Sequence, residues 1–232
     1  MRPMPRIAKL LGLAGLLLAA PATAQDIQAF KPAVGSWNYL SVDGARLAEP
    51  GVISPSVWLD YAREPLVLRD GDGKVLERVV DDLTTVEILA VVGLHERVEL
   101  GLALPFSYAT GAGTVPIDSG AGLGDIRLLP KFRIATLGES VRLGLALRCP
   151  LVFPTGDEKK GASGRFFAAH PGLVAEIQAG RFGLSLNGGY RWRPSDEDST
   201  PLTVGNAVQY AAGASWAFGD SRDITAIGEI YG

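Results

Sequence analysis

The chain has 232 residues, a net charge of −3 and a composition that is 47% hydrophobic and 20% charged. That apolar share excludes a disordered chain, and the absence of a basic excess excludes a general nucleic-acid binder. One cysteine and two histidines exclude a disulfide framework and a Cys-rich zinc centre and leave little for a His-based metal site.

Residues 1–24 have the layout of a secretory signal peptide. Arg2, Arg6 and Lys9 precede an apolar run from Leu10 to Ala20, and Ala22-Thr23-Ala24 is a small-residue cleavage site, so the mature chain is expected to begin at Gln25. The run is too short to anchor in a bilayer, which takes about 20 residues of helix. Residues 25–50 follow as an expected N-terminal periplasmic segment. No later apolar run has helix length, so an exported chain of this kind is either soluble or a membrane β-barrel.

From residue 51 the pattern has period two. Segment 52–64, with Trp58 and Tyr61, is the first candidate strand, and 79–94 the second. In 98–106 the apolar set is Val98, Leu100, Leu102, Leu104 and Phe106, with Glu99, Gly101 and Ala103 between. In 126–134 Ile126, Leu128, Phe132 and Ile134 oppose Arg127, Lys131 and Arg133. In 140–153 every odd position from Val141 to Phe153 is apolar, including Cys149, while Arg142, Gly144, Ala146 and Arg148 hold even positions. Helical spacing fails there, because Val141 would stack on Gly144 and Leu145 on Arg148. Segments 166–180, 182–192, 202–218 and 223–231 complete nine candidate strands of nine to fifteen or so residues, with no convincing helix.

Three features favour a membrane barrel over a soluble sandwich. The strands are long, near the ~9–11 residues of a crossing strand rather than the ~5–6 of a globular one. The polar parity carries Arg, Lys, Glu, Asn, Gly and Ala, as a polar lumen does. Connections alternate between short turns (near 95–97, Leu137-Gly138-Glu139, Gly180 and Gly219 to Arg222) and long links at 65–78, 109–122, 154–165 and 194–201. Aromatic residues fall where interfacial girdles belong: Phe106, Tyr108, Phe153, Tyr190 and Trp192 at the long-loop ends, Trp216 and Phe218 at the short-turn ends. With the short turns in the periplasm, strand 52–64 and strand 223–231 both run outward. Bacterial single-chain barrels keep an even count and no open edge, so either a strand lies unread near 35–42 or the barrel is truncated. The expected fold is all-β: an up-and-down antiparallel transmembrane β-barrel with about 9–10 of about 12 strands present over 51–232.

Residues with chemical potential are weighed in the same frame. Gly120-Ala121-Gly122-Leu123-Gly124-Asp125 is no phosphate loop, since no helix follows. Asp70-Gly71-Asp72-Gly73 lacks EF-hand spacing and reads as a turn. The charged stretch 154–164 reads as a solvated loop. His95 and His170 have no nucleophile context, so no catalytic residue, metal ligand or cofactor is expected. Cys149 falls on the apolar parity as an inert thiol. The informative set is inward-facing: Glu99, Arg127, Lys131, Arg133, Arg142, Arg148, Glu176, Arg191 and Arg193, joined by Glu87, Asp125, Arg181 and Glu229. Such a wall either pairs internally and fills the lumen or favours anions in an open pore.

Several motifs match a known family in order and spacing. They are Asn38-Tyr39-Leu40 with Val42 to Ala45, Pro65 to Leu68, Val92-Gly93-Leu94 through Val98 to Pro105, Gly122 to Leu128 with Pro130 to Arg133, Pro154-Thr155-Gly156-Asp157, and Leu202 to Asn206. Over roughly residues 30–232 the chain resembles the barrel region of OmpA-family outer-membrane proteins of the myxobacterial type, with weaker similarity to the "transporter" barrels of phenol meta-pathway operons. The resemblance implies a Gram-negative outer-membrane protein whose partner is lipid and whose role is structural or envelope-anchoring. In that family peptidoglycan is bound through a C-terminal domain that these residues do not include. The alternatives are a porin-like channel for small anionic or aromatic solutes and a soluble periplasmic β-sandwich.

Overall fold

A computed structural model describes residues 30–35, 37–69, 72, 74–111, 118–160, 162–164, 166–194, 206–219 and 224–232. The expected leader, residues 1–24, lies outside them. The strands are β1 (Ile53–Arg69), β2 (Val75–His95), β3 (Val98–Thr110), β4 (Gly120–Leu123), β5 (Ile126–Leu137), β6 (Val141–Arg148), β7 (Leu151–Phe153), β8 (Ala168–Ala169), β9 (Gly172–Ala179), β10 (Phe182–Arg191), β11 (Ala207–Phe218) and β12 (Ile224–Tyr231). A 3-10 turn at Glu158–Lys160 is the sole helical element among the described residues.

Every strand pair is antiparallel, and the sheet runs β1-β2-β3-β5-β6-β9-β10-β11-β12. Those nine strands are the nine the alternation predicts. The short pieces β4, β7 and β8 lie beside this path. β4 pairs with β3, while β7 pairs with β5 and β8. The strands form one curled, half-barrel sheet. Among the described residues β1 and β12 do not pair, so the structure describes a curled sheet and not a closed ring.

Local chemistry sets the boundaries. Gly138, Gly180 and Gly219 adopt φ of 82°, 59° and 74° in three of the four short turns, a region that a residue with a Cβ rarely enters. Two predicted strands are interrupted by proline. Segment 140–153 divides at Cys149-Pro150 into β6 and β7, and 166–180 divides at His170-Pro171 into β8 and β9, because proline cannot donate to a ladder. The two breaks lie side by side, and the His170 N–H donates to the Pro150 carbonyl at 2.8 Å. The expected long link at 65–78 is mostly strand instead. β1 and β2 stay paired out to Arg69↔Val75, past a bulge at Glu64, whose φ is +51°. Asp72 lies in a turn there, and Asp70, Gly71 and Gly73 are outside the described residues.

The two faces of the sheet invert the usual order. On the convex face Val57, Leu59, Leu143, Leu145, Leu147, Leu173, Leu186 and Ile230 are exposed. On the concave face Glu87, Glu99, Arg127, Lys131, Glu176, Ser185 and Asn187 are buried. A folded chain in water ordinarily places those classes the other way round.

The described residues of 35–42 do not form the extra strand. The described residues of 30–50 lie in the hollow of the curl, without regular structure apart from a bridge between Pro50 and Gly93. It touches β12 through Ser41 and β3 through Ala48. Those strands lie six spacings apart on the sheet path, about 29 Å along the arc, and the Glu229 and Glu99 side chains reach inward to meet the segment between them. The segment is a chord across the curl.

Candidate functional site

The site is built from the polar parity of six strands and from the segment that crosses it. The polar alternation puts Glu99 on β3, Arg127 and Lys131 on β5, Arg148 on β6, Glu176 on β9, Asn187 on β10 and Glu229 on β12 toward one hollow. Each of these strands gives an acceptor to the crossing segment or a charge beside it.

The acceptors take five backbone amides between Ser41 and Ala48. The Ser41 N–H donates to both carboxylate oxygens of Glu229 at 3.1 and 3.0 Å, its hydroxyl donates at 2.7 Å, and the Val42 N–H donates at 3.2 Å. The Asp43 N–H donates to Asn187 Oδ1 at 3.0 Å, while Asn187 Nδ2 returns a bond to the Asp43 carbonyl at 2.9 Å. The Ala45 N–H donates to Glu176 at 2.8 Å, and the Ala48 N–H to Glu99 at 2.7 Å. The Gly44 N–H is taken by Asn38 within the segment, at 2.8 Å. The segment has no ladder of its own, so side chains from the wall supply the partners that its buried amides need.

The charges close into a network around Asp43. Lys131 Nζ lies 2.8 Å from Glu99 and 3.8 Å from Asp43, and Arg148 donates to Asp43 at 2.8 Å. Lys131 also donates to Asn38 Oδ1 at 3.2 Å and the Gly44 carbonyl at 3.3 Å. Beside this cluster Arg127 pairs with Glu87, both nearly free of solvent. Burial of charges is tolerable only with pairing of this kind.

Glycines on the concave face make room for the segment. A Cβ at Gly101 would lie 3.4 Å from the Val34 Cβ, and one at Gly144 only 2.7 Å from the Ala45 Cβ. One at Gly213 would lie 3.0 Å from the Tyr39 ring and 3.3 Å from the Val42 Cβ. Gly93 is tighter still, with the Glu49 carbonyl oxygen 2.2 Å from where its Cβ would stand. Val34 packs with Leu89, Val91 and Ala103, and Ala45 with Ala146 and Val174. Tyr39 is buried, which raises its hydroxyl above the ordinary 10.0; the nearby Ser215 hydroxyl opposes this, and Glu176 and Glu229 add to it.

The remaining expected inward residues lie toward the two ends. Arg133 donates to the Glu96 carbonyl at a short turn, and Arg142 is exposed at the same end. At the long-loop end Arg193 donates to the Gly164 carbonyl and stands 5.6 Å over the Phe166 ring. The Arg191 Nε there is buried without a hydrogen-bond partner. The charged stretch 154–164 is tied down at Gly156 and Gly164, where Asp125 accepts the Gly156 N–H at 3.0 Å and the Gly164 N–H at 2.6 Å.

The aromatic residues expected in girdles stand on the convex face. Phe106, Tyr108, Tyr190, Trp192, Trp216 and Phe218 are each exposed, and Phe153 packs against Phe167, which in turn packs against Trp192, at 5.6 and 6.4 Å. Trp216 pairs across the sheet with Phe182 near the short turns. Cys149 is a partly buried free thiol. Among the described residues no group of three or more His, Cys, Asp or Glu is arranged to hold a metal ion.

No family model, curated protein or solved structure matches this chain.

Proposed function

We propose that the chain is a β-barrel protein of the Gram-negative outer membrane with a structural role in the envelope. One observation carries this reading: the apolar parity of a nine-strand sheet is exposed while the charged parity is buried. In water such a surface would be an aggregation liability. Against hydrocarbon it is the surface a barrel presents, with aromatic side chains banding its two ends. A soluble sandwich would bury that parity, so the exposure argues against one. The occupied hollow favours a structural role over an open pore, because the segment 30–50 fills the space a solute would cross.

The test is fractionation of the full-length chain with gel mobility before and after heating in detergent. A band in the outer-membrane fraction whose mobility shifts on heating is the expected result. Release with the soluble periplasm and no shift would overturn the reading.

A further inference from the structure

The segment 30–50 is held in a way that permits it to leave. It adds no strand to the sheet, and its one backbone bridge is Pro50 with Gly93. The Ser41, Val42, Asp43, Ala45 and Ala48 amides are gripped by side-chain acceptors from β3, β9, β10 and β12, while those of Ala33, Asn38, Tyr39 and Gly44 bond within the segment itself. Water can replace each of these bonds without breaking a ladder. Val34, Val42 and Ala45 seat small side chains on Gly101, Gly213 and Gly144, Phe30 and Trp37 hold its start against Trp58 and the Leu89 cluster, and beneath it a water-sized cavity is lined by Val34, Asp43, Gly101, Lys131, Arg148 and Pro150. Loss of the segment leaves Lys131 paired with Glu99 and Arg127 with Glu87. The wall is therefore charged and wettable once uncovered, and its main ion pairs survive.

We propose that residues 30–50 are a displaceable plug, whose withdrawal from the concave wall opens a water-filled passage for small hydrophilic solutes. The proposal rests on the outer-membrane barrel reading above. The wall left behind carries both signs, Arg148 and, toward the long-loop end, Arg191 against Glu176 and Glu229, so the passage separates anions from cations weakly.

The test tethers the plug reversibly. In a Cys149→Ser background, Val34→Cys with Gly101→Cys brings two Cβ atoms 3.4 Å apart, close to the ~3.5–4.5 Å a disulfide spans. Val42→Cys with Gly213→Cys, at 3.3 Å, is the second tether. Each full-length variant is first checked for heat-shifted mobility and then placed in planar bilayers with potassium chloride. Conductance steps are expected under reduction and their loss under oxidation, for at least one tether, with a reversal potential near zero in a salt gradient. Glu229→Gln is expected to raise the frequency of openings without oxidation or reduction. Heat-shifted protein whose conductance is the same in both redox states would overturn the plug while leaving the barrel standing. Absence of the heat shift in the untethered chain would overturn the barrel itself.

Discussion

Lys131→Met tests whether the buried network around Asp43 holds the fold together. The Lys131 and Glu99 side chains are 4% and 3% exposed and 2.8 Å apart. Removing the lysine leaves a carboxylate in the hollow with one remaining donor, the Ala48 N–H at 2.7 Å. It also strips a donor from Asn38 and the Gly44 carbonyl. Breaking one side of such a pair costs about 3–5 kcal/mol. The surviving Ala48 bond places this case near the lower bound, at about 3 kcal/mol. Glu99→Gln costs less, about 1–2 kcal/mol, because the amide oxygen still accepts from Ala48 and Lys131 keeps Asp43 at 3.8 Å. The double variant removes both charges together and should recover about 2 kcal/mol relative to the sum of the singles. The assay is guanidinium unfolding in detergent micelles followed by tryptophan fluorescence. A loss below about 1 kcal/mol for Lys131→Met, or strict additivity in the double variant, would refute the claim that these charges are desolvated and coupled.

Three further outcomes are expected. Leu145→Arg on the convex face should cut the heat-shifted outer-membrane fraction, since Arg near a bilayer midplane costs about 2–4 kcal/mol; an unchanged fraction would mean that face meets water. Gly93→Ala pushes a methyl into the Glu49 carbonyl, so residues near 49 should become cleavable by added protease while those of β6 do not; equal protection of wild type and variant would count against the close approach. Tyr39 ionises less readily in its buried seat than when released. The seated form is therefore favoured fully below the ordinary value of 10.0 and loses that advantage as pH rises past it. Protease access to the segment should increase above about pH 10 in the wild type and stay flat in Tyr39→Phe.

Much of the fold was legible because an apolar and a polar face leave a period-two record. In Val141 to Leu147 the apolar positions alternate with Arg142, Gly144 and Ala146, and the parity names both the element and the face. The prolines at 150 and 171 carried the breaks in two strands, yet alternation ran straight through them and hid the division into β6, β7, β8 and β9. The 65–78 link misled because Glu64 and Pro65 look like a strand end, whereas a bulge with positive φ carries the hairpin onward. The crossing segment left almost no periodic trace, because it has no ladder. Its one signal was indirect: Gly101, Gly144, Gly183 and Gly213 recur on the polar parity, where a packed wall would otherwise carry side chains. A row of glycines facing inward marks room reserved for another backbone.

That reserved room explains why the hollow is charged and yet buried. With the apolar side chains turned outward, the interior must be filled by groups that satisfy one another. Lys131 answers Glu99 from the next strand and Arg127 answers Glu87 across β3, whereas Glu229 takes the Ser41 and Val42 amides and Glu176 takes the Ala45 amide beside the Gln178 side chain. The segment is equally dependent, since without those carboxylates its buried N–H groups would be orphaned at about 1–3 kcal/mol each. Wall and segment therefore stabilise each other while both are dry. Water entering the hollow satisfies both separately, which makes hydration of the interior, and not rupture of the sheet, the step that frees the segment.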